Sequence, residues 1–419
     1  MQLCIFEDDR YRNLEPFSFY RPTFELVCGK NTLREKILLS YPGIKYSLLC
    51  RAYLAPLLEA QNPGIEVNNI SDDDCLFING NILASKDLSV IIPLKSSREL
   101  IYQNGDNLIA LHLSGKNLLE LKKHLDIPIS KSLFTGLPVE KVDVKSVQYI
   151  WDLIYQNSNE LNSDIELYSS SKKEKILGKV YEGAHYIEKE NILIEEGAQI
   201  KPGVVLDASE GPIFIDKNAV IFPNAVIEGP AYIGEGSLVK SCATIYKNVS
   251  IGKICKVGGE VEGSIFFPYT NKQHSGYLGH SCLGSWVNIG ADTNCSDLKN
   301  NYSNIKVNLY GEEVNTGLQF LGLIIGDHSK TAINTMFNTG TFVGFSCNIF
   351  GEGFPDKIIP SFAWGGSSGI LTYNVEKSIN TARIVMARRQ KKMSDAEENV
   401  FRYIFTSTQK DRIKKGLTY

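Results

Sequence analysis

IDKNAV IFPNAV IEGPAY IGEGSL VKSCAT IYKNVS IGKICK V, residues 215–257, is the stretch that decides the fold. One apolar residue opens each hexapeptide: Ile215, Ile221, Ile227, Ile233, Val239, Ile245, Ile251 and Val257. Four residues after each stands a small or short one: Ala219, Ala225, Ala231, Ser237, Ala243, Val249 and Cys255. A period of six fits neither an α-helix nor the two-residue alternation of an ordinary strand. It is the pattern of a left-handed parallel β-helix of hexapeptide repeats, in which three hexapeptides complete one triangular coil. The apolar residue fills the prism, and only a small side chain fits the tight corner beside it.

Upstream, Ile194, Ile200 and Leu206 keep the phase; Ile215 follows nine later, so a three-residue insertion bulges near Ser209, Glu210 and Gly211. Downstream, the phase breaks over Gly258–Gly279, resumes at Leu283 and Ile289, and breaks again over 292–322. It returns at Ile325, Phe337, Val343 and Ile349. Insertions in a solenoid map to surface loops, often on the binding face. The prism is expected over 181–372, followed by a helical tail over 373–419. In that tail Ile379, Arg383 and Met386 give a mixed face. Ser394-Asp395-Ala396-Glu397 is a capping box before a helix carrying Val400, Tyr403 and Ile404. Residues 1–165 read as an α/β domain with a doubly wound sheet. Leu3–Phe6 and Leu76–Asn79 look like buried strands, and Thr32-Leu33-Arg34-Glu35 is a capping box opening a helix. A second helix is expected over Arg51–Ala60. The polar run Gln156–Lys175 reads as a hinge, with the linker proper at 166–180.

The chain has 419 residues, 43% hydrophobic and 22% charged, with a formal net charge of −3. That near-balance gives no reason to expect nucleic acid or an anionic membrane as a partner. No run approaches the length of a membrane span, and MQLCIFEDDRYRN lacks the order of a signal peptide. Nine cysteines are scattered without a C-x-x-C pair. The expectation is a reduced, cytoplasmic protein with no disulfides and no thiolate metal site.

The most chemically loaded stretch is NKQHSGYLG, residues 271–279, with SWVNIGA, residues 285–291, about one coil later. Residues one coil apart stack, so His274 and Asn288 are expected near one corner of adjacent coils. A histidine accepts a proton near neutral pH without special tuning. Beside a lysine, a tyrosine and an amide, it has the company to deprotonate a nucleophile while they hold an anionic substrate. His112, His124, His185, His280 and His328 lack such company and read as structural or exposed.

The motif N-K-x-H-x-x-Y-L-G, a short gap, then V-N-I-G-A resembles the acetyltransferase domain of the bifunctional enzyme that makes UDP-N-acetylglucosamine. The whole chain is similar to a GlmU-like subfamily of sugar nucleotidyltransferases. It shares R-P-x-F-E-L, Gly258-Gly259-Glu260-Val261-Glu262, S-D-L-K-N-N-Y and F-N-T-G-T. The resemblance implies acetyl-CoA as co-substrate, an amino-sugar 1-phosphate acceptor, and a homotrimer with ligands in clefts between subunits. It implies that His274 is the general base for the acceptor amine, that Tyr277 and Asn288 contact the substrate, and that Ala291 contacts CoA. Where the acetyltransferases carry a phosphate-pairing lysine, this chain has Glu260 and Glu262. Phosphate is then left to Lys256, Lys272 or Lys306. A second asparagine of the motif falls on Asp297, whose carboxylate would repel a phosphate.

Nucleotidyltransferases of the resembling type carry a glycine-rich loop after the first strand, a Pro-Lys pair and a magnesium-binding aspartate. Here the loop reads Glu7-Asp8-Asp9-Arg10-Tyr11-Arg12-Asn13, the pair is Pro22-Thr23, and the aspartate is Asn81. Arg10, Arg12 and Arg21, with Arg34, are candidate phosphate ligands; paired with Glu7, Asp8, Asp9 or Glu35, they would be structural instead. Mg2+ with an NTP is what the resemblance implies for this domain. The basic stretch Arg383–Lys392 reads as the solvated face of a helix, in preference to the alternative that it reaches a neighbouring subunit's cleft and meets the 3′-phosphate of CoA.

Together these readings predict a sugar-phosphate transferase of nucleotide-sugar synthesis. Its prism acetylates an amino-sugar 1-phosphate, and its N-terminal domain forms or binds an NDP-sugar. Two alternatives stand beside it. One is a sugar-1-phosphate nucleotidyltransferase with the prism for trimerisation; the other is a non-catalytic nucleotide-sugar or acyl-CoA binding protein.

Overall fold

The computed structural model describes residues 1–134, 136–170, 172–309 and 311–417. They divide into two compact units. The first comprises Met1–Leu26, Asn31–Asp152 and Ser394–Val400; the second comprises Val27–Lys30, Leu153–Met393 and Phe401–Tyr419.

The first unit is built on a seven-stranded mixed sheet. Its spatial order is Glu66–Val67, Tyr46–Leu49, Gln2–Phe6, Asp74–Asn79, Asn107–Ser114, Leu100–Asn104 and Val139–Lys141. The first four strands are parallel, as strand-helix alternation requires. Asn107–Ser114 then runs antiparallel to both its neighbours, closing the sheet with a hairpin. Gln2–Phe6 is buried on every residue, which suits a strand covered on both faces. Thr32 and Glu35 form the expected capping box of the helix Leu33–Ser40. The second helix is shorter than expected: a 3-10 turn over Ala52–Leu54 leads into Ala55–Gln61. Phe6 pairs with Asn79, so the loops after these two strands leave from neighbouring carboxyl ends, where open α/β sheets bind ligands. Gly80 is needed there, because a Cβ would come within 2.6 Å of Phe24.

The polar run Gln156–Lys175, read as a hinge, is instead helical through Ser170, within the helix Ile150–Ser170. Its apolar positions are sparse but correctly spaced. Leu161 and Ile165 are buried against Leu193 and Phe214 of the prism. Four-residue spacing puts both on one stripe, and the polar remainder faces water.

The prism follows the hexapeptide reading closely. All eight opening residues from Ile215 to Val257 are completely buried, as are the seven small residues that follow them. Three parallel sheets form its faces. The first face carries Gln199–Ile200, Val220–Ile221, Leu238–Val239, Lys256–Val257 and Asn271–Lys272. The second carries Val226–Glu228, Thr244–Ile245, Glu260–Glu262, Tyr277–Gly279 and Asn294–Cys295. The third carries Ile213–Ile215, Ala231–Ile233, Val249–Ile251, Ile265–Phe266 and Cys282–Leu283. Register stacks like on like: Ile215, Ile233, Ile251, Phe266, Leu283, Ile325, Val343 and Ile359 form one interior column. Asparagines turn several corners with positive φ, Asn218 at 57°, Asn224 at 62° and Asn248 at 65°, a conformation asparagine tolerates better than most residues. The second phase break, over 292–322, contains an antiparallel hairpin of Lys306–Leu309 and Glu312–Asn315.

The tail is helical over Val375–Ala387, Asp395–Ser407 and Gln409–Lys414. Ser394 and Glu397 exchange the hydrogen bonds of the expected capping box. Val400 and Ile404 are buried, but Tyr403, expected on the same face, is 47% exposed. Among the described residues no helix is long and apolar enough to cross a membrane.

Candidate functional site

His274 lies in the turn that carries the chain from the first face, Asn271–Lys272, to the second, Tyr277–Gly279. Its side chain is exposed, and among the described residues its imidazole has no hydrogen-bond partner. The turn around it is tightly held. Lys272 is the reason.

Lys272 does not face a substrate. It pairs in register with Val257, so it occupies the interior column of the first face, and only 1% of it is exposed. Its Nζ donates to the carbonyls of Gly258 at 2.8 Å, His274 at 2.9 Å and Ser275 at 3.4 Å. These three acceptors use all its donors. The expected substrate contact is therefore corrected: Lys272 ties the His274 turn to the coil before it. Burial pulls its ammonium from the ordinary 10.5 down to about 8, against the raising effect of Asp292 and Glu260.

That shift carries a sign. Below pH 8 folded and unfolded chains both hold the proton, and the fold bears the cost of a buried ammonium. Between pH 8 and 10.5 the unfolded chain binds more protons, so stability rises with pH; the gain is lost again as pH falls through 8. Relative to Lys272→Met, the wild type is expected to gain about 3 kcal/mol across this window. Unfolding free energies of both proteins against pH test this; a gap independent of pH contradicts it.

On the second face, Tyr277 and Asp297 come together with Glu262 and with His280, which the sequence reading set aside as structural or exposed. The Tyr277 hydroxyl donates toward Asp297 Oδ2 at 3.1 Å and Glu262 Oε2 at 3.2 Å. Burial, and then the two carboxylates, push the Tyr277 phenol well up, so it stays a donor. His280 Nδ1 lies 2.8 Å from the same Asp297 oxygen. The His280 ring is flanked by Phe320 and Tyr155, with centroids at 5.1 and 6.1 Å. Gly263, at φ 52°, leaves room for this ring, since a Cβ there would stand 3.2 Å from Nε2. His280 was read as a histidine without company; it is an imidazole oriented by a carboxylate, the arrangement that fixes a tautomer. Asp297 thus faces a histidine and a tyrosine.

Asn288 is exposed on the first face and stands in register with Asn271 rather than with His274. Asn271 Nδ2 approaches Asn288 Oδ1 at 3.5 Å, and Arg389 donates to Asn271 Oδ1 at 2.8 Å. Ala291, partly exposed at the following corner, accepts a backbone hydrogen bond from Asn334. Lys306 sits on the hairpin, paired with Glu313 at 2.6 Å. Of the three lysines offered for a phosphate, Lys256 is half-buried on the first face, and among the described residues no carboxylate pairs with it.

In the first unit the arginines are not gathered into one cradle. Arg10 is held by Asp8, Asn107 and Gln148. Arg12 is exposed beside Tyr11, Arg21 reaches the Phe17 carbonyl, and Arg34 pairs with Glu25 at 2.9 Å. The loop is organised instead by Arg51, which sequence reasoning did not single out. Its guanidinium grips both oxygens of the buried Glu7 and also donates to the carbonyls of Ser18 and Arg21. Burial pushes the Asp8 carboxyl up, opposed by Arg10 and by a hydrogen bond from Asn79.

Asn81 is 1% exposed, and neither its Oδ1 nor its Nδ2 has a partner among the described residues. Its Oδ1 is one neutral donor. Asp8 Oδ2 is already taken by Arg10 and Asn79, and among the described residues no three His, Cys, Asp or Glu side chains converge. This donor set does not fit a divalent cation.

Residues 3–173 match the family model described as sugar nucleotidyl transferase. The chain is 29% identical over 329 residues to the bifunctional protein GlmU of Methanocaldococcus jannaschii, covering 69% of this chain and 74% of that one. It is 25% identical over 299 residues to the bifunctional sugar-1-phosphate nucleotidylyltransferase/acetyltransferase of Sulfurisphaera tokodaii, covering 67% and 74%. Among solved structures, the UDP-N-acetylglucosamine acyltransferase from Campylobacter jejuni aligns with 54% of this chain and 94% of its own, at 11% identity and a TM-score of 0.31. Residues 3–173 are thus similar to sugar nucleotidyl transferases, and about two thirds of the chain is similar to GlmU-type bifunctional proteins.

Proposed function

We propose that the prism transfers an acetyl group from acetyl-CoA to the amine of an amino-sugar 1-phosphate, and that the N-terminal unit forms or binds the corresponding nucleotide sugar. The observation that carries the reading is the His274 turn: an exposed imidazole on a backbone pinned by a buried lysine. His274 takes a proton from the acceptor amine as its nitrogen attacks the thioester carbonyl. The C–S bond breaks, and the thiolate takes up the proton that His274 holds. Tyr277 and Asn288 hold the acceptor, with Asp297 orienting Tyr277, and Ala291 lies along the CoA. A cytoplasmic homotrimer, with clefts between prisms, is part of the same reading.

The test is CoA-thiol release by the full chain, with acetyl-CoA and a panel of amino-sugar 1-phosphates. Turnover with one acceptor is expected. Silence across the panel, with the protein folded, overturns the acetyl-transfer reading. A parallel assay of pyrophosphate release from an NTP and a sugar 1-phosphate, with and without Mg2+, reports on the N-terminal unit. The loss of the glycine loop favours binding without turnover there.

A further inference from the structure

The first unit holds a cavity of about 150 Å³ at the end of its sheet remote from Phe6 and Asn79. Asp74 opens the strand that Asn79 closes, so about 17 Å of strand separates this cavity from the loops that follow Phe6 and Asn79. Register sets Asp74 opposite Ser114 and Leu76 opposite His112, which puts these four residues on one face of the sheet. The turn Ser96–Arg98 supplies another wall. Ser96 Oγ donates to the Arg98 carbonyl at 2.7 Å and accepts from the Arg98 N–H at 3.3 Å, which fixes the turn. Glu99 spends both carboxylate oxygens on the Ser114 N–H, at 2.9 Å, and on Asn117 Nδ2, at 2.7 Å.

Three other polar groups line the cavity and are left unmatched. His112 is 2% exposed, and its Nε2 lies 2.9 Å from the Pro93 carbonyl, a contact only an N–H can make. Burial, against the raising effects of Pro93 and Asp74, holds the imidazole below its ordinary value. The ring is therefore neutral, and Nδ1 is a bare acceptor. Among the described residues Nδ1 has no partner. Asp74 and Arg98 are exposed at the rim. Among the described residues neither side chain makes a hydrogen bond or an ion pair, with the other or with any third group. Lys122 pairs with Asp73 instead.

We propose that this cavity binds a small zwitterion of the α-amino acid class, its ammonium donating to His112 Nδ1 and Asp74 and its carboxylate held by Arg98. An ammonium supplies the donor that Nδ1 lacks, and a guanidinium fork suits a carboxylate. A simple anion would leave Nδ1 and Asp74 facing lone pairs, and a simple cation would leave Arg98 unmatched. The site shares no residue with the His274 turn or with the loop after the first strand, so it does not rest on the acetyl-transfer reading.

The test is calorimetric titration of the full chain with glycine, L-alanine and L-serine, beside propionate and ethylamine, which each carry one of the two charges. Binding of at least one amino acid is expected, with propionate and ethylamine weaker by about tenfold or more. Arg98→Gln and Asp74→Asn, both at exposed positions, are each expected to weaken that amino acid by about tenfold or more, the loss of a charge-assisted contact. Unchanged affinity in both folded variants, or no binding of any of these amino acids by the wild type, overturns the proposal. Propionate or ethylamine binding as tightly as the amino acid overturns it too. Acetyl transfer is read separately by CoA-thiol release, so failure of either reading leaves the other standing.

Discussion

Alanine in place of His274 is expected to lower kcat for the proposed acetyl transfer by about 10²–10⁴-fold, the usual cost of losing a general base. The melting temperature stays where it was. The imidazole is exposed and makes no hydrogen bond among the described residues, so its removal breaks no contact that folding depends on. The turn keeps its shape, because Lys272 holds its backbone carbonyls rather than its side chains. KM for both substrates therefore moves little. CoA-thiol release at saturating substrate measures the effect, and activity within a few-fold of wild type refutes the role. His280→Gln in the same assay separates the two imidazoles. It removes the partner of Asp297 at the other end of the strand and is expected to raise the acceptor KM more than it lowers kcat.

The prism was legible because its period is geometric: a triangular coil repeats its interior position every six residues whatever the surface does. The constellation was legible by chemistry but not by direction. Lys272 stands beside a histidine in sequence and was taken for a substrate contact, yet register with Val257 turns it inward. The first phase break shortens the coil there, and only the pairing reveals which residue inherits the interior place. His280 had a signal that went unused. It lies seventeen residues before Asp297, nearly one coil, which brings such residues together on adjacent rungs. Arg51 had none. It meets Glu7 across forty-four residues because two parallel strands place the following loops side by side, and nothing local marks the pair.

That pair carries the second large effect expected of this chain. Glu7→Ala should destabilise the first unit by about 3–5 kcal/mol, because it strands a buried guanidinium without its counter-charge. Arg51 is 6% exposed and Glu7 1%. Beyond the guanidinium, the same carboxylate accepts from the backbone N–H groups of Thr23 and Arg51, so its loss frees both ends of the loop that follows the first strand. A glycine-rich loop would wrap a triphosphate with its own N–H groups; this loop instead spends its polar groups on an internal ion pair. Glu7→Leu/Arg51→Met removes both charges together and should cost clearly less than Glu7→Ala, since no charge is left buried alone. The two units need not unfold together, so the measurement needs a local reporter. Trp151 lies in the first unit, and Trp286 and Trp364 lie in the second. With the latter two changed to phenylalanine, urea unfolding followed by Trp151 fluorescence reads the first unit alone. Equal midpoints for Glu7→Ala and its parent would show that the loop is held by something other than this pair.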